Sequence, residues 1–182
     1  LTSVKLSAGS NNATLTSLTL SNNGITSLDV TYLTQLSTLD VSDCSALETI
    51  TGMSTAITNL NVTGCTALTS LDLTGCTALS TITGLDTCTS LNNLNVSATD
   101  GLGIDLSMLS GSLTQYTAQN ATMTSIDLSG CAVLATLDVS GCTNLTTLNV
   151  TNCTSLTSII GLDTLAALEN LVATGSGLTN ID

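Results

Sequence analysis

The chain has 182 residues and a formal net charge of −12, with 13 acidic residues, one lysine, no histidine and no proline. Nucleic acids and anionic lipid surfaces are bound through lysine and arginine side chains that neutralise phosphates, so this charge excludes both as partners. The apolar residues make up 42% of the chain, but they never form the run of about 18 that would span a bilayer. We therefore expect no membrane insertion.

Residues 1–14 are interpreted as an irregular first rung, and a regular pattern begins at Leu15. From there, aliphatic residues recur every 10 to 12 positions in three columns, as in Leu68, Leu71 and Leu73. Such a period is typical of a repeat protein, in which neighbouring coils bury a continuous apolar stripe. We expect one solenoid over residues 1–182, which could be an excerpt of a longer array.

The last two columns stand two residues apart, which is the period of a β-strand. Each unit should therefore contribute a short strand with both aliphatic side chains inward and the residue between them outward. Threonine is frequent within the units, and Asn, Ser and Gly mark their ends, a composition that favours strands and turns over helix. The predicted fold class is a β-dominant solenoid with short parallel strands and little or no helix.

The size of one coil has two interpretations. Two units would close a flat coil of about 21–22 residues with one strand on each side. The spacing of Cys44, Cys65 and Cys88 supports this size. The outward residue, however, is threonine in every third unit, which would fit a three-sided coil of about 32 residues. That coil would need a wide interior filled only by Leu and Val, so we favour the two-unit coil.

The repeat resembles a known family. The segment from Leu15 to Ile25 fits the pattern L-x-x-L-x-L-x-x-N-x-L at every position, and cysteine takes the asparagine slot in many other units. The pattern resembles leucine-rich repeats over essentially the whole chain, in the nested short form of bacterial surface proteins. The segments 82–96 and 159–168 are also similar to internalin-type repeats. The resemblance implies non-catalytic recognition, commonly adhesion, by an extracellular or cell-surface protein.

Seven cysteines recur in register with the repeat. Side chains stacked on successive coils point poorly for disulfide bonding, so we expect a ladder of buried free thiols, with some disulfides as the alternative. The chain has no histidine and no C-x-x-C motif, so we expect no metal site and no cofactor. It also lacks the usual base for a serine or cysteine nucleophile, so we expect no enzymatic activity.

The outward strand residues are the candidate binding site. A row of carboxylates could attract divalent cations, whereas the simpler interpretation is a solvated face that keeps the rod soluble. The candidates are Thr19, Asp29, Asp40, Thr51, Asp72, Thr83, Asp105, Asp127 and Asp138.

Three functions fit this pattern. The first is an adhesion module that binds a protein or glycan surface ligand through a polar Thr/Asp/Asn face. The second is a structural subunit that self-associates end to end through uncapped solenoid ends into a fibre or surface layer. The third, suggested by the Thr-x-Thr strands at Thr49 and Thr81, is ice binding.

Overall fold

The chain folds into a parallel β-solenoid of about seven turns. A computed structural model describes residues 4, 14–100 and 104–181, and nearly all of the predicted first rung therefore lies outside the described residues. Thirteen strands of three residues follow one another along the described chain: β1 Ser17–Thr19, β2 Ser27–Asp29, β3 Thr38–Asp40, β4 Thr49–Thr51, β5 Asn59–Asn61, β6 Ser70–Asp72, β7 Thr81–Thr83, β8 Asn93–Asn95, β9 Gln115–Thr117, β10 Ser125–Asp127, β11 Thr136–Asp138, β12 Thr147–Asn149 and β13 Asn170–Val172.

Helical structure is limited to three single 3₁₀ turns within the described residues, at Leu85–Thr87, Ser107–Leu109 and Leu162–Thr164. The first and third have the same sequence, Leu-Asp-Thr, and each follows a glycine with positive φ. The prediction of short parallel strands with little or no helix is confirmed.

Successive units contribute strands alternately to two faces, so each strand pairs with the strand two units away. Ser17 of β1 pairs with Thr38 of β3, and Ser70 of β6 pairs with Asn93 of β8. One turn of the backbone therefore contains two sequence units. The two-unit coil is confirmed, and the three-sided coil is wrong.

The two faces differ in continuity. We call the six-stranded sheet the continuous face, and its strand order is β2-β4-β6-β8-β9-β11. The other side carries β1-β3-β5-β7 and then β10-β12-β13, which are separate sheets, and we call it the interrupted face. The unit centred on Ile104 lies between β7 and β10, since it lines clefts that each of them borders, but its described residues, which begin at Ile104, form no strand.

The aliphatic columns fill the space between the faces. The middle residue of nearly every strand is buried, as are the residues of the other two columns, for example Leu68, Leu71 and Leu73 with no exposed surface. Each fully buried leucine contributes about 1.5–3 kcal/mol relative to an exposed one. Tyr116 occupies a strand centre with 2% exposure and Ala118 the following column with none, so the break in the aliphatic pattern at this point leaves the coil intact.

The corners after ten of the thirteen strands share one backbone geometry. The residue four positions after the strand centre has positive φ there, as in Asn22 at 56°, Asp43 at 59° and Gly64 at 74°. The exceptions are β2, β4 and β7, and after β4 and β7 the positive φ lies two positions after the centre, at Gly52 and Gly84. Only glycine adopts this region at no steric cost, with Asn and Asp next best because their short polar side chains bond locally. The recurrent Gly, Asn and Asp of the sequence therefore specify the corner.

Candidate functional site

The structure divides the predicted site residues between two faces. Asp29, Thr51, Asp72 and Asp138 end strands of the continuous face. Thr19, Asp40, Thr83 and Asp127 end strands of the interrupted face, and Asp105 follows Ile104 in the unit without a strand. The nine residues therefore do not form one surface, although each remains an outward position of its own coil.

The continuous face carries two polar rows, each one residue away from the buried strand centres. Pairing joins Ser27 to Thr49 in the first row and Asn95 to Thr117 in the second. All of the strand residues in these rows are polar, and none is aromatic. The first row is Ser27, Thr49, Ser70, Asn93, Gln115 and Thr136, and the second is Asp29, Thr51, Asp72, Asn95, Thr117 and Asp138.

The first of these rows was missed by the sequence-based prediction, which selected only the outward residue after each strand centre. The period-2 alternation of a strand also directs the residue before the centre outward. Applying that rule on both sides would have found Ser27 and its five row neighbours.

The outward carboxylates and amides also hold the corners of the coil. Asp72 Oδ1 accepts hydrogen bonds from the Thr74 backbone N–H at 3.0 Å and from the Thr74 hydroxyl at 2.6 Å. Asn61 Oδ1 accepts the same pair from Thr63, at 3.1 and 2.7 Å. This is an Asx turn, in which an Asp or Asn side chain replaces a backbone acceptor two residues before its donor. Much of the Asp and Asn content of the face is thus structural.

These hydrogen bonds lower several carboxyl pKa values. The Thr31 side-chain and backbone donors lower the pKa of Asp29, and the corresponding Ser107 donors lower that of Asp105. The Ser129 backbone N–H has the largest effect in lowering the pKa of Asp127. At Asp138, burial acts to raise the pKa, but hydrogen bonds from Ser140 and Gln119 outweigh it and the net shift is downward. These four carboxylates, which are distributed over both faces, are therefore ionised at neutral pH.

The cysteines form ladders of free, buried thiols, as the sequence predicted. Each thiol donates to a carbonyl of the preceding coil, for example Cys65 Sγ to Val41 O at 3.2 Å and Cys142 Sγ to Ala118 O at 2.7 Å. Asn23 takes the same slot and donates Nδ2 to Leu20 O at 2.9 Å. Burial raises the pKa of Cys65 to about 12 and that of Cys76 to about 11. These two thiols stay protonated at neutral pH and are poor nucleophiles.

No group of three or more Cys, Asp or Glu side chains in the described part of the chain could hold a metal ion. Within the same ranges, no helix has the length and hydrophobicity of a membrane span. The two Thr-x-Thr strands lie on opposite faces, β4 on the continuous one and β7 on the interrupted one, so they do not build a common threonine array.

In three units, glycine takes the position of the third aliphatic residue, directly after Thr51, Thr83 and Ile160. At these positions the backbone packs closely against the preceding coil. Gly52, Gly84 and Gly161 all have φ between 74° and 81°. A Cβ atom at Gly52 would lie 2.5 Å from the Thr31 Cα and N atoms of the preceding coil. Such a distance is far below van der Waals contact, so only glycine fits.

Clefts open beneath two of these glycine units. The larger cleft, of about 460 Å³, lies on the interrupted face between the segment 80–86 and the residues Ile104, Asp105 and Met108. A smaller one of about 220 Å³ lies on the continuous face between Thr51–Met53 and Asp72. The prediction from sequence did not include Asp86 or Met108, which line the larger cleft. The sequence signal that could have indicated this cleft is Gly84, which stands where other units have the third aliphatic residue.

Comparison with known proteins agrees with the repeat pattern. A family model described as a leucine-rich repeat matches residues 11–33, and no curated protein matches the chain. Similar solved structures include the functional domain of InlJ from Listeria monocytogenes, whose description includes a cysteine ladder. That match has 20% identity and a TM-score of 0.31, and covers 94% of this chain and 56% of the InlJ chain.

Two further Listeria monocytogenes structures are similar to this chain. Internalin C2 matches at 17% identity with a TM-score of 0.30, covering 90% of this chain and 83% of its own. Internalin F matches at 14% identity with a TM-score of 0.26, covering 94% and 84%. The leucine-rich-repeat match covers residues 11–33, and the same L-x-x-L-x-L pattern and coil of parallel strands continue beyond them, which supports the resemblance of this chain to leucine-rich repeats.

Proposed function

We propose that the protein is a non-catalytic binding and adhesion module that acts outside the cell and contacts its partner through the continuous face. The observation that carries the proposal is the unbroken six-stranded sheet with its two polar rows. A regular array of hydroxyl, amide and carboxylate groups offers many hydrogen bonds to a partner surface of similar extent. The extracellular location rests on the resemblance of the repeats to those of bacterial surface proteins.

The charge and composition of the face favour a particular kind of partner. With a net charge of −12, the protein attracts cationic or neutral polar surfaces and repels polyanions. The face lacks the aromatic and arginine side chains that dominate many protein interfaces. We therefore favour a protein surface that carries lysine or arginine and is bound through many weak polar contacts, with a glycan surface as the alternative ligand.

A second candidate function is a structural subunit that assembles end to end. The last described coil exposes Ile160 by 50% and Ile181 by 60%, and Leu168 and Leu171 are only half-buried there. This apolar surface suits coverage by another coil, from a second copy or from further chain. A subunit that polymerises at its ends would leave both polar faces to the solvent.

A matched pair of arginine variants tests the proposal. Ser70 begins β6 with the sequence Ser-Leu-Asp on the continuous face, and Ser125 begins β10 with Ser-Ile-Asp on the interrupted face. Ser70→Arg adds a long cationic side chain to the proposed contact surface, whereas Ser125→Arg adds the same side chain to a similar site elsewhere. Fluorescent wild-type and variant proteins are compared on cultured animal cells, on the same cells after protease treatment, and on a glycan array.

The proposal predicts that wild type binds, that Ser70→Arg reduces binding about tenfold or more, corresponding to a loss of about 1.4 kcal/mol, and that Ser125→Arg binds as wild type does. Loss of binding after protease treatment would indicate a protein ligand, and array binding a glycan. Equal effects of the two variants would refute the assignment to the continuous face. Absence of all binding, with filaments that grow with concentration in light scattering, would replace the proposal with the structural function.

A further inference from the structure

The interrupted face contains a break in the backbone ladder, and the break follows β7. In the coils before the break, the residue two positions after each strand centre donates its N–H to the next coil: Leu20 to Asp40 O at 2.7 Å, Val41 to Asn61 O at 3.0 Å and Val62 to Thr83 O at 2.9 Å. Gly84 holds the same position in the next coil. Its N–H makes no such bond to the described residues, and the 460 Å³ cleft opens at this point.

The cleft is lined by both apolar and anionic side chains. Ile82, Leu85, Ile104 and Met108 contribute apolar surface, and Met108 is 57% exposed. Asp86 and Asp105 line the cleft from successive coils and are both exposed, and we call these two exposed carboxylates its rim. The volume lies within the range of about 300–1,000 Å³ that is usual for ligand pockets.

The position of the Asp105 carboxylate is fixed by its own coil. Asp105 Oδ1 accepts hydrogen bonds from the Ser107 N–H at 3.0 Å and from the Ser107 hydroxyl at 2.6 Å. These bonds also lower its pKa, so the group is ionised at neutral pH. The fixed oxygen leaves Asp105 Oδ2 as the atom that can accept a bond from a ligand at the rim.

The chemistry of the walls selects the ligand. An anion is repelled by two carboxylates, and a purely apolar group would make no favourable contact with either of them. Metal ions need more ligands, and no group of three carboxylates or thiols exists among the described residues. A lysine side chain fits both parts, because its methylene stem packs on apolar surface while its ammonium group stays at the polar edge.

We propose that the cleft between β7 and the segment 104–108 binds a lysine side chain presented by a partner. The site is separate from the continuous face, so it adds a second contact to the function proposed above. The smaller cleft beneath Gly52 has about half the volume and only Asp72 at its rim, and it should therefore bind lysine more weakly.

The experiment is an NMR titration of the ¹⁵N-labelled full chain with acetyl-Gly-Lys-Gly-amide. The same peptide with norleucine in place of lysine keeps the stem and removes the charge. Asp86→Asn with Asp105→Asn removes both rim charges, and asparagine keeps the Asx turn because Asn61 and Asn95 already serve that role. Asp40→Asn with Asp43→Asn is the charge-matched control on the same face, away from the cleft lining.

The proposal predicts saturable shifts of the amides in 82–86 and 104–108 with the lysine peptide. Exposed ion pairs are individually weak, so loss of both should weaken binding only about fivefold, and the norleucine peptide should lose affinity to the same extent. The control variant should match wild type, and circular dichroism verifies that both variants are folded. Shifts spread evenly over all aspartates, or equal affinity of the rim and control variants, would overturn the assignment.

Discussion

The close packing of Gly52 against the preceding coil leads to a sharp prediction about two alanine substitutions. Gly52 and Gly130 have similar backbone conformations, with φ of 74° and 81°. A Cβ atom at Gly130 would meet nothing within 4 Å, whereas one at Gly52 would lie 2.5 Å from Thr31 Cα and N. The two substitutions thus share the strain of positive φ, and only one adds a clash with a neighbouring backbone.

The magnitudes follow from these two effects. Left-handed backbone costs an alanine about 1–2 kcal/mol, and the loss of glycine entropy in the unfolded chain returns about 0.4–1 kcal/mol. Gly130→Ala should therefore destabilise the protein by about 1 kcal/mol or less. Forcing an atom into packed structure adds about 1–3 kcal/mol, so Gly52→Ala should cost about 1–4 kcal/mol and more than Gly130→Ala does.

The assay is urea unfolding followed by far-ultraviolet circular dichroism. Because repeat arrays can unfold in parts, amide hydrogen exchange of β2, β4 and β6 should accompany it, and protection should fall most at β4. The Thr31→Ala change should not rescue Gly52→Ala, since the Thr31 Cα and N atoms remain in place. Equal destabilisation by the two glycine substitutions, or full rescue by Thr31→Ala, would refute the packing argument.

Three further predictions concern the corners, the thiols and pH. Asp72→Ala should lower the free energy of unfolding by about 1 kcal/mol through loss of the Thr74 hydrogen bonds, whereas Asp72→Asn should be nearly neutral in the same urea assay; equal losses would contradict the Asx-turn role. The seven thiols should resist iodoacetamide at pH 8 in the folded protein, because all of them are buried and burial raises the pKa of Cys65, for example, to about 12. They should react fully in 8 M urea, and rapid labelling of the native state, read by mass spectrometry, would contradict the ladder. The folded-state pKa values of Asp29, Asp127 and Asp138 lie below the ordinary 3.8. The stabilisation that these carboxylates contribute is therefore complete above the unfolded pKa and is lost as the pH falls through the lowered values. An NMR titration that finds these pKa values at or above 3.8 would contradict this prediction.

Most of the fold could be predicted because each unit carries the same information. The step from Leu71 to Leu73 has strand periodicity, and Gly75 two residues later supplies the corner with φ of 72°. The cysteine spacing also predicted the number of residues in one coil, because buried side chains on stacked coils must repeat once per turn. The spacing of about 32 residues between the outward threonines does not correspond to one turn of the backbone. Two of these threonines, Thr51 and Thr83, directly precede Gly52 and Gly84.

The division of the candidate site into two faces follows from coil closure, which a list of outward positions does not show. The interruption at Ile104 was also missed, because the residues Ile104 and Leu106 continue the aliphatic columns. One coil earlier, Gly84 buries no side chain in its column, turns with φ of 81° into the 3₁₀ turn at Leu85–Thr87, and does not donate to the following coil within the described residues. Gly52 makes no such bond to the described residues either, yet β4 pairs with β6. A glycine in the aliphatic column therefore does not by itself predict an interruption of the sheet.

Both binding proposals depend on a coil that alternates between two faces, and one distance tests that claim most directly. Spin labels are attached to Ser27→Cys and Thr136→Cys, which lie on the first and last strands of the continuous face, while the buried native thiols stay unlabelled. Five strand spacings of about 4.8 Å predict backbone positions about 24 Å apart in pulsed electron–electron double resonance. A three-sided coil would separate the two labels by only about 16 Å along the axis and would place them on different sides. A distance clearly below about 24 Å would therefore contradict the two-sided solenoid and both sites built on it.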